Sequence, residues 1–218
     1  MTAKAKSDRY HHGDLRTALI ATAVELIEDG GVRTFSLAEA SRRLGVTVSA
    51  PYAHFADREE LLAAVAVHAL ELFHADLQAE LKGLAEPPDR LAAVARAYVR
   101  FAGIHRHLFE LLSEAGLDKV RHPEIKAAER PIDDAFLSCV RALSGAEDPA
   151  AAELATAVEA TAHGHALLLL DGHFGRSRKA TARAAGGAAR ATLALVEGRR
   201  LLSERLSGAT GLVKRRRR

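Results

Sequence analysis

The chain has 218 residues, 48% of them hydrophobic and 27% charged. That is a globular balance with enough length for one or two domains around a real core, and it excludes wholesale disorder and fibrous chemistry; no apolar run approaches the roughly 20 residues that cross a bilayer. The net charge is +3, but KRRRR at 214–218 holds five of the positive charges and leaves −2 for the rest, while the first sixty residues set eight Lys/Arg against nine Asp/Glu. A nucleic-acid reading must therefore rest on where particular residues stand, not on bulk charge.

The opening MTAKAKSDRYHHGDLR leads into an acidic VELIEDG without the apolar h-region of a secretory signal, which predicts a soluble, cytoplasmic protein with no membrane partner. A first helix carries the stripe Leu15, Leu19, Ala23, Leu26 and Ile27, opened by Asp14 as N-cap and closed at Gly30-Gly31. Ser36-Leu37-Ala38-Glu39 fits a capping box for a second, two-turn helix that ends at Gly45. Thr47 caps a third short helix in VSAPYAHF, with Pro51 near its first turn. Asp57 to Glu60 launches a long fourth helix through Leu61, Leu62, Val65, Ala69, Phe73, Leu77, Leu81 and Leu84, stopped by Pro87-Pro88.

Asp89 caps a fifth helix to about His105, and HLFELLSEA follows as a shorter one. PEIKAAERPIDDAFLSCVRALSG is helical with a break or kink at Pro131, because proline disfavours helical geometry in the residue before it. PAAAELATAVEATAHGHALLLL and the Ala-rich ATARAAGGAARATLALVEGRRLL complete the set, in which Gly186-Gly187 marks either a helix break or a close crossing. The expectation is an all-α chain of about nine helices ending in a polar, basic tail.

The segment 36–55 carries the most chemistry. A helix that enters the DNA major groove needs short side chains near its start, so that backbone approaches base edges, with hydroxyl, imidazole or phenol groups reaching phosphates at its flanks. Thr47, Ser49, Tyr52 and His54 meet that need, with Leu37, Ala40, Leu44, Val46, Ala50 and Phe55 as the small core beneath them. Two short helices around a glycine turn also occur in many helical proteins that never touch DNA.

Residues 11–65 resemble the N-terminal DNA-binding domain of the TetR family of bacterial transcriptional repressors. The matches are Gly30-Gly31, Phe35-Ser36-Leu37, Leu44-Gly45-Val46, Tyr52-Ala53-His54-Phe55 and Asp57-Arg58-Glu59-Glu60-Leu61. The family's usual lysine is Arg58 here, and its usual leucine or aromatic before the tyrosine is Pro51. ATAHGHALLLLDGHF is similar to the His-Gly segment of a subgroup named for a Trp, a His and a Gly, through His163-Gly164 and Asp171-Gly172-His173-Phe174, although this chain has no tryptophan.

The resemblance implies a flexible arm at 1–12, a helix-turn-helix domain at 13–73, an effector and dimerisation domain at 74–206 and a basic tail at 207–218. It implies a ligand-responsive repressor that binds a palindromic operator as a homodimer built from the last two long helices, about 149–170 and 178–200. The predicted DNA contacts are Ser36, Thr47, Val48, Ser49, Tyr52, His54 and Arg58. Candidates for a pocket that takes an unknown small-molecule effector are Phe73, Phe101, His105, Phe109, Phe136 and His163, each of which could equally be filling the core. No enzyme, metal or cofactor is implied. Of the His163, His165, His173 and Asp171 group, only Glu159 stands one turn from His163, and the carboxylate pairs Asp133-Asp134 and Glu153-Glu159 read as solvated faces. The lone Cys139 reads as buried structure rather than a reactive thiol. Tyr10, His11 and His12 next to Arg9 are either an arm on DNA phosphates or a plain terminus, and KRRRR either a polyanion-binding element or a solvated end. The rival reading is a small helical enzyme or ligand carrier that uses the bundle cavity.

Overall fold

The computed structural model describes residues 12–144 and 149–215. Among them are eight α-helices, one 3₁₀ turn and no strand: α1 His12–Gly30, α2 Leu37–Leu44, the 3₁₀ turn Ala50–Ala53, α3 Arg58–Leu81, α4 Pro87–Ile104, α5 Arg106–Glu114, α6 Pro123–Ser144, α7 Pro149–Leu170 and α8 Arg178–Arg215. The all-α expectation is met, and the nine helical segments follow in the expected order. The third is a correction, since a single 3₁₀ turn replaces the short α-helix read in VSAPYAHF. Of the arm expected at 1–12, residues 1–11 lie outside the described residues, as do the last three of KRRRR, and His12 is the first residue of α1.

Packing divides the chain into two units, Met1–Leu70 with His107–Lys126, and Glu71–Arg106 with Ala127–Arg218. In the N-terminal unit the period of α1 buries Leu19, Ala23 and Ile27 completely, and Phe55, Leu61 and Val65 are as deeply enclosed. Each large side chain withdrawn in this way stabilises the unit by roughly 2 kcal/mol before its entropy cost. Gly31, at φ +80°, ends α1, and its N–H returns to the Ile27 carbonyl at 2.7 Å. His107 closes the same helix end from the far side of the sequence, donating through Nδ1 to the Glu28 carbonyl at 2.8 Å.

In the C-terminal unit α4, α7 and α8 pack against one another. Small residues permit this. α8 buries Ala180, Ala184, Ala185, Ala188 and Ala189, and a Cβ added at Gly103 of α4 would stand 2.6 Å from Thr181 Cγ2. α8 runs unbroken through Gly186-Gly187, which removes the helix-break option. A Cβ at Gly187 would come within 3.2 Å of His165 Nε2, so the close approach is to α7. A further cluster joins Leu91, Cys139, Val140, Leu154, Val158 and Val196.

Three more local expectations are corrected. Of the break or kink expected at Pro131 the break is removed, since α6 continues through it at the cost of the hydrogen bond that proline cannot donate. α4 begins at Pro87 with Glu86 as its N-cap, two residues before Asp89, because proline is pre-organised for a first helical turn. α8 continues to Arg215, so most of the stretch read as a tail is helical.

Candidate nucleic-acid interface

Ser36 is extended (φ −141°, ψ 148°), and its Oγ accepts the Glu39 N–H at 3.2 Å, the cap that starts α2. Leu37, Ala40 and Ser41 turn inward, and Ser41 Oγ donates to the Leu37 carbonyl at 2.9 Å, satisfying a hydroxyl that has no exposure. On the outer side Arg42 grips Glu39 through Nε and Nη2 at 2.8 and 2.5 Å. The Arg42 guanidinium holds the Glu39 carboxyl below its ordinary range. Gly45 (φ +68°) gives the left-handed turn that stops α2, and Val46 N–H then reaches the Ser41 carbonyl at 3.0 Å.

The chain turns into the predicted reader at Thr47. Ala50 N–H bonds the Thr47 carbonyl at 3.0 Å, Tyr52 N–H the Ser49 carbonyl at 3.2 Å, and His54 and Phe55 N–H share the Pro51 carbonyl at 2.9 Å. Pro51 and Phe55 are buried, which pins the turn to the core. Thr47, Val48, Ser49 and Tyr52 are all exposed, Val48 at 60% and Tyr52 at 55%. A large apolar group and a phenol standing in water on one short turn are unusual for packing alone, and suit a surface that a partner will cover. The Thr47 and Ser49 hydroxyls lie 3.1 Å apart. His54 is half-buried, and Leu44, Val46 and Ala50 are less enclosed than the sequence implied.

Arg58 is held within the unit, with Nε donating to the Phe35 carbonyl at 3.2 Å, Nη2 to the Val32 carbonyl at 2.5 Å, and the guanidinium 5.7 Å from the Phe35 ring. Beside it, Asp57 Oδ1 accepts the Glu60 N–H at 2.9 Å and Glu60 Oε2 accepts the Ala56 N–H at 2.6 Å, a reciprocal cap for α3. Sequence reasoning missed what reaches this cap. Arg121 donates to Asp57 Oδ2 at 2.5 Å and to Glu59 Oε2 at 2.9 Å. Its guanidinium, then the Glu60 amide, hold the Asp57 carboxyl below its usual 3.8. Buried His122 follows, with Nε2 3.6 Å from Glu59 Oε1. No local signal announces a contact across more than sixty residues.

The effector-pocket candidates are distributed as follows. In the C-terminal unit Phe73 lies 5.1 Å from Phe101 and 5.9 Å from Tyr98, and Phe101 lies 5.2 Å from His105. Tyr98 hydroxyl is 3.0 Å from His163 Nδ1. Burial, and then the Glu159 charge, push the Tyr98 phenol up to about 12. Tyr98, absent from the sequence list, joins four of the six candidates into one aromatic and imidazole set. Phe136 packs instead on the Cys139 cluster, and Phe109 is buried in the N-terminal unit. His165 donates through Nδ1 to the Thr161 carbonyl at 2.8 Å, and no group of three or more metal-binding side chains occurs among the described residues.

Comparison with known proteins decides the family. Residues 19–65 match the model of bacterial regulatory proteins of the tetR family, and residues 91–196 match that of the tetracyclin repressor-like C-terminal domain. The chain belongs to the TetR family. It is a DNA-binding transcriptional regulator, and members of this family are regulators rather than enzymes. The Trp-His-Gly subgroup is not confirmed by the C-terminal match. A Rhodococcus sp. RHA1 protein of unknown function is 30% identical, with 88% of this chain and 98% of that one covered and a TM-score of 0.70. The TetR family transcriptional regulator PfmR from Thermus thermophilus shares the fold at 18% identity, 82% and 97% coverage and a TM-score of 0.60. So does a candidate transcriptional regulator from Saccharomonospora viridis in complex with choline, at 20% identity, 85% and 96% coverage and a TM-score of 0.62. No curated protein matches the chain. No helix among the described residues is long and apolar enough to cross a membrane.

Proposed function

We propose that this TetR-family regulator is a ligand-responsive repressor that binds a pseudo-palindromic operator as a homodimer. The observation that carries the reading is the exposed row Thr47, Val48, Ser49 and Tyr52, presented by a turn whose Pro51 and Phe55 are anchored in the core. Thr47, Val48 and Ser49 face base edges, and Ser36, Tyr52 and His54 face phosphates. Arg58 acts chiefly by fixing the 32–35 loop beneath them, with its remaining N–H groups available to a phosphate. Two copies are needed because one short element spans only a few base pairs. The dimer uses α7 and α8, and α7 leaves Leu167 and Leu168 at 39% and 42% exposure. The effector enters among Phe73, Tyr98, Phe101, His105 and His163, where rings supply walls and the Tyr98–His163 pair a polar point. The choline bound by the Saccharomonospora viridis protein makes a small organic cation the first class to try, since aromatic faces attract cations.

The test is a gel shift with the DNA upstream of the protein's own gene. Wild type retards it. A Tyr52→Ala, His54→Ala double variant that keeps its helical content loses affinity for all sequences alike, whereas Ser49→Ala changes the preferred sequence. Undiminished operator affinity in the double variant overturns the assignment.

A further inference from the structure

A second concave surface in the C-terminal unit shares no residue with the aromatic set. It is an open groove of about 930 Å³ between the end of α4, the end of α7 and the start of α8. Five arginines line it, Arg96, Arg100, Arg106, Arg176 and Arg178, against one carboxylate, Glu80. Arg96 and Arg100 both pair with Glu80, so one carboxylate answers two guanidiniums. Arg106 is fixed at the rim by donating to the Leu170 carbonyl at 3.0 Å. Arg176 and Arg178 make no hydrogen bond or ion pair among the described residues; they flank Ser177, whose Oγ accepts the Ala180 N–H at 3.2 Å at the start of α8.

The groove is not uniformly polar. Ile104 lies on its wall at 54% exposure, with Leu169, Ala182 and Ala185 beside it. Gly103 brings α4 against Thr181 and Leu169, which forms the floor. Cations gathered in a concave wall focus a positive field, and guanidiniums match carboxylate and phosphate in bidentate geometry. The α8 N-terminus adds a partial charge of the same sign. The lining of the groove holds five guanidiniums and one carboxylate, and exposed Ile104 sits among them.

We propose that this groove binds a small organic anion, carrying carboxylate or phosphate groups on Arg106, Arg176 and Arg178 and an apolar body against Ile104 and Leu169. The site stands apart from the effector set and from the DNA-reading turn, so it is a second ligand site on the regulator.

Isothermal titration of the full-length protein tests this with naphthyl phosphate and naphthaleneacetate, and with inorganic phosphate and neutral naphthalenemethanol as the halves of the recognition. The naphthyl anions are expected to bind with one-to-one stoichiometry and more tightly than either half, and the tighter of the two identifies phosphate or carboxylate as the head group. An Arg176→Gln, Arg178→Gln double variant, altered only at exposed positions, weakens them by about tenfold or more. Ile104→Ser weakens the naphthyl anions while leaving inorganic phosphate unchanged. Absence of saturable binding below about 1 mM, equal affinity for the neutral alcohol, or undiminished binding in the arginine double variant overturns the proposal.

Discussion

Tyr98 carries a half-buried phenol whose hydroxyl meets the His163 imidazole, and its titration reports on the packing around it. Its folded value is raised from 10.0 to about 12, so the stability it contributes is complete below 10.0 and is lost as pH climbs toward 12. The phenolate absorbance gained near that upper value should be absent from Tyr98→Phe and so appear in the difference between wild type and variant, and the variant should lose part of the alkaline unfolding limb. Asp57 works in the opposite direction. Its folded value is depressed, chiefly by Arg121, so its contribution is present above 3.8 and disappears as acid protonates the carboxylate. Arg121→Gln should therefore unfold at higher pH on the acid side while leaving the neutral-pH circular dichroism spectrum unchanged; coincident acid limbs would refute the linkage. Ser36, Gly45 and Tyr52 were legible in the sequence because caps, left-handed turns and exposed short polar groups act within four residues. Arg121 was not, since nothing near it says which carboxylates it will meet.

At the scale of elements, helix crossings and helix interiors give opposite predictions for similar changes. Gly103→Ala would drive a methyl against Thr181 Cγ2 and Leu169 Cδ2, at 2.6 and 2.8 Å, and should cost about 1–3 kcal/mol in denaturant unfolding. Gly186→Ala meets only the far end of Arg190 at 3.3 Å, so the backbone term dominates and the variant should gain up to about 1 kcal/mol. Pro131→Ala restores a missing donor on an exposed stretch of α6 and should gain up to about 3 kcal/mol. Equal effects at the two glycines would refute the packing account of α4 and α8. The 3₁₀ turn at Ala50–Ala53 has its own cause. Pro51 sits inside it without an N–H, and a turn anchored at buried Pro51 and again at buried Phe55 leaves no room for an α-turn to propagate.

At the scale of the molecule, the proposed dimer makes the oligomeric state a measurable consequence of α7. Sedimentation of wild type at about micromolar concentration should give a dimer, and Leu167→Asp with Leu168→Asp should give a helical monomer that binds its operator weakly. A footprint with two-fold symmetry is expected on the upstream DNA, with half-sites about one helical turn apart. A wild-type monomer with an asymmetric footprint would contradict both.

Helical class, helix order and most boundaries came from the sequence by itself, because amphipathic period, glycine stops and capping residues are properties of neighbours along the chain. The exposure of the hydroxyls and phenol at 47–52 was legible in the same way, since they stand within six positions of one another, although the turn that presents them is 3₁₀ and not the short helix expected. Tertiary structure alone decided that residues 107–126 join the N-terminal unit, that Arg58 turns to the carbonyls of Val32 and Phe35, and that arginines from 96 to 178 line one groove. It also decided that α6 tolerates Pro131 and that Gly187 faces His165. Each of these outcomes depends on which surfaces come together after the helices have formed. A hydrophobic stripe says that a helix has a partner, and leaves its identity to the packing of the whole chain.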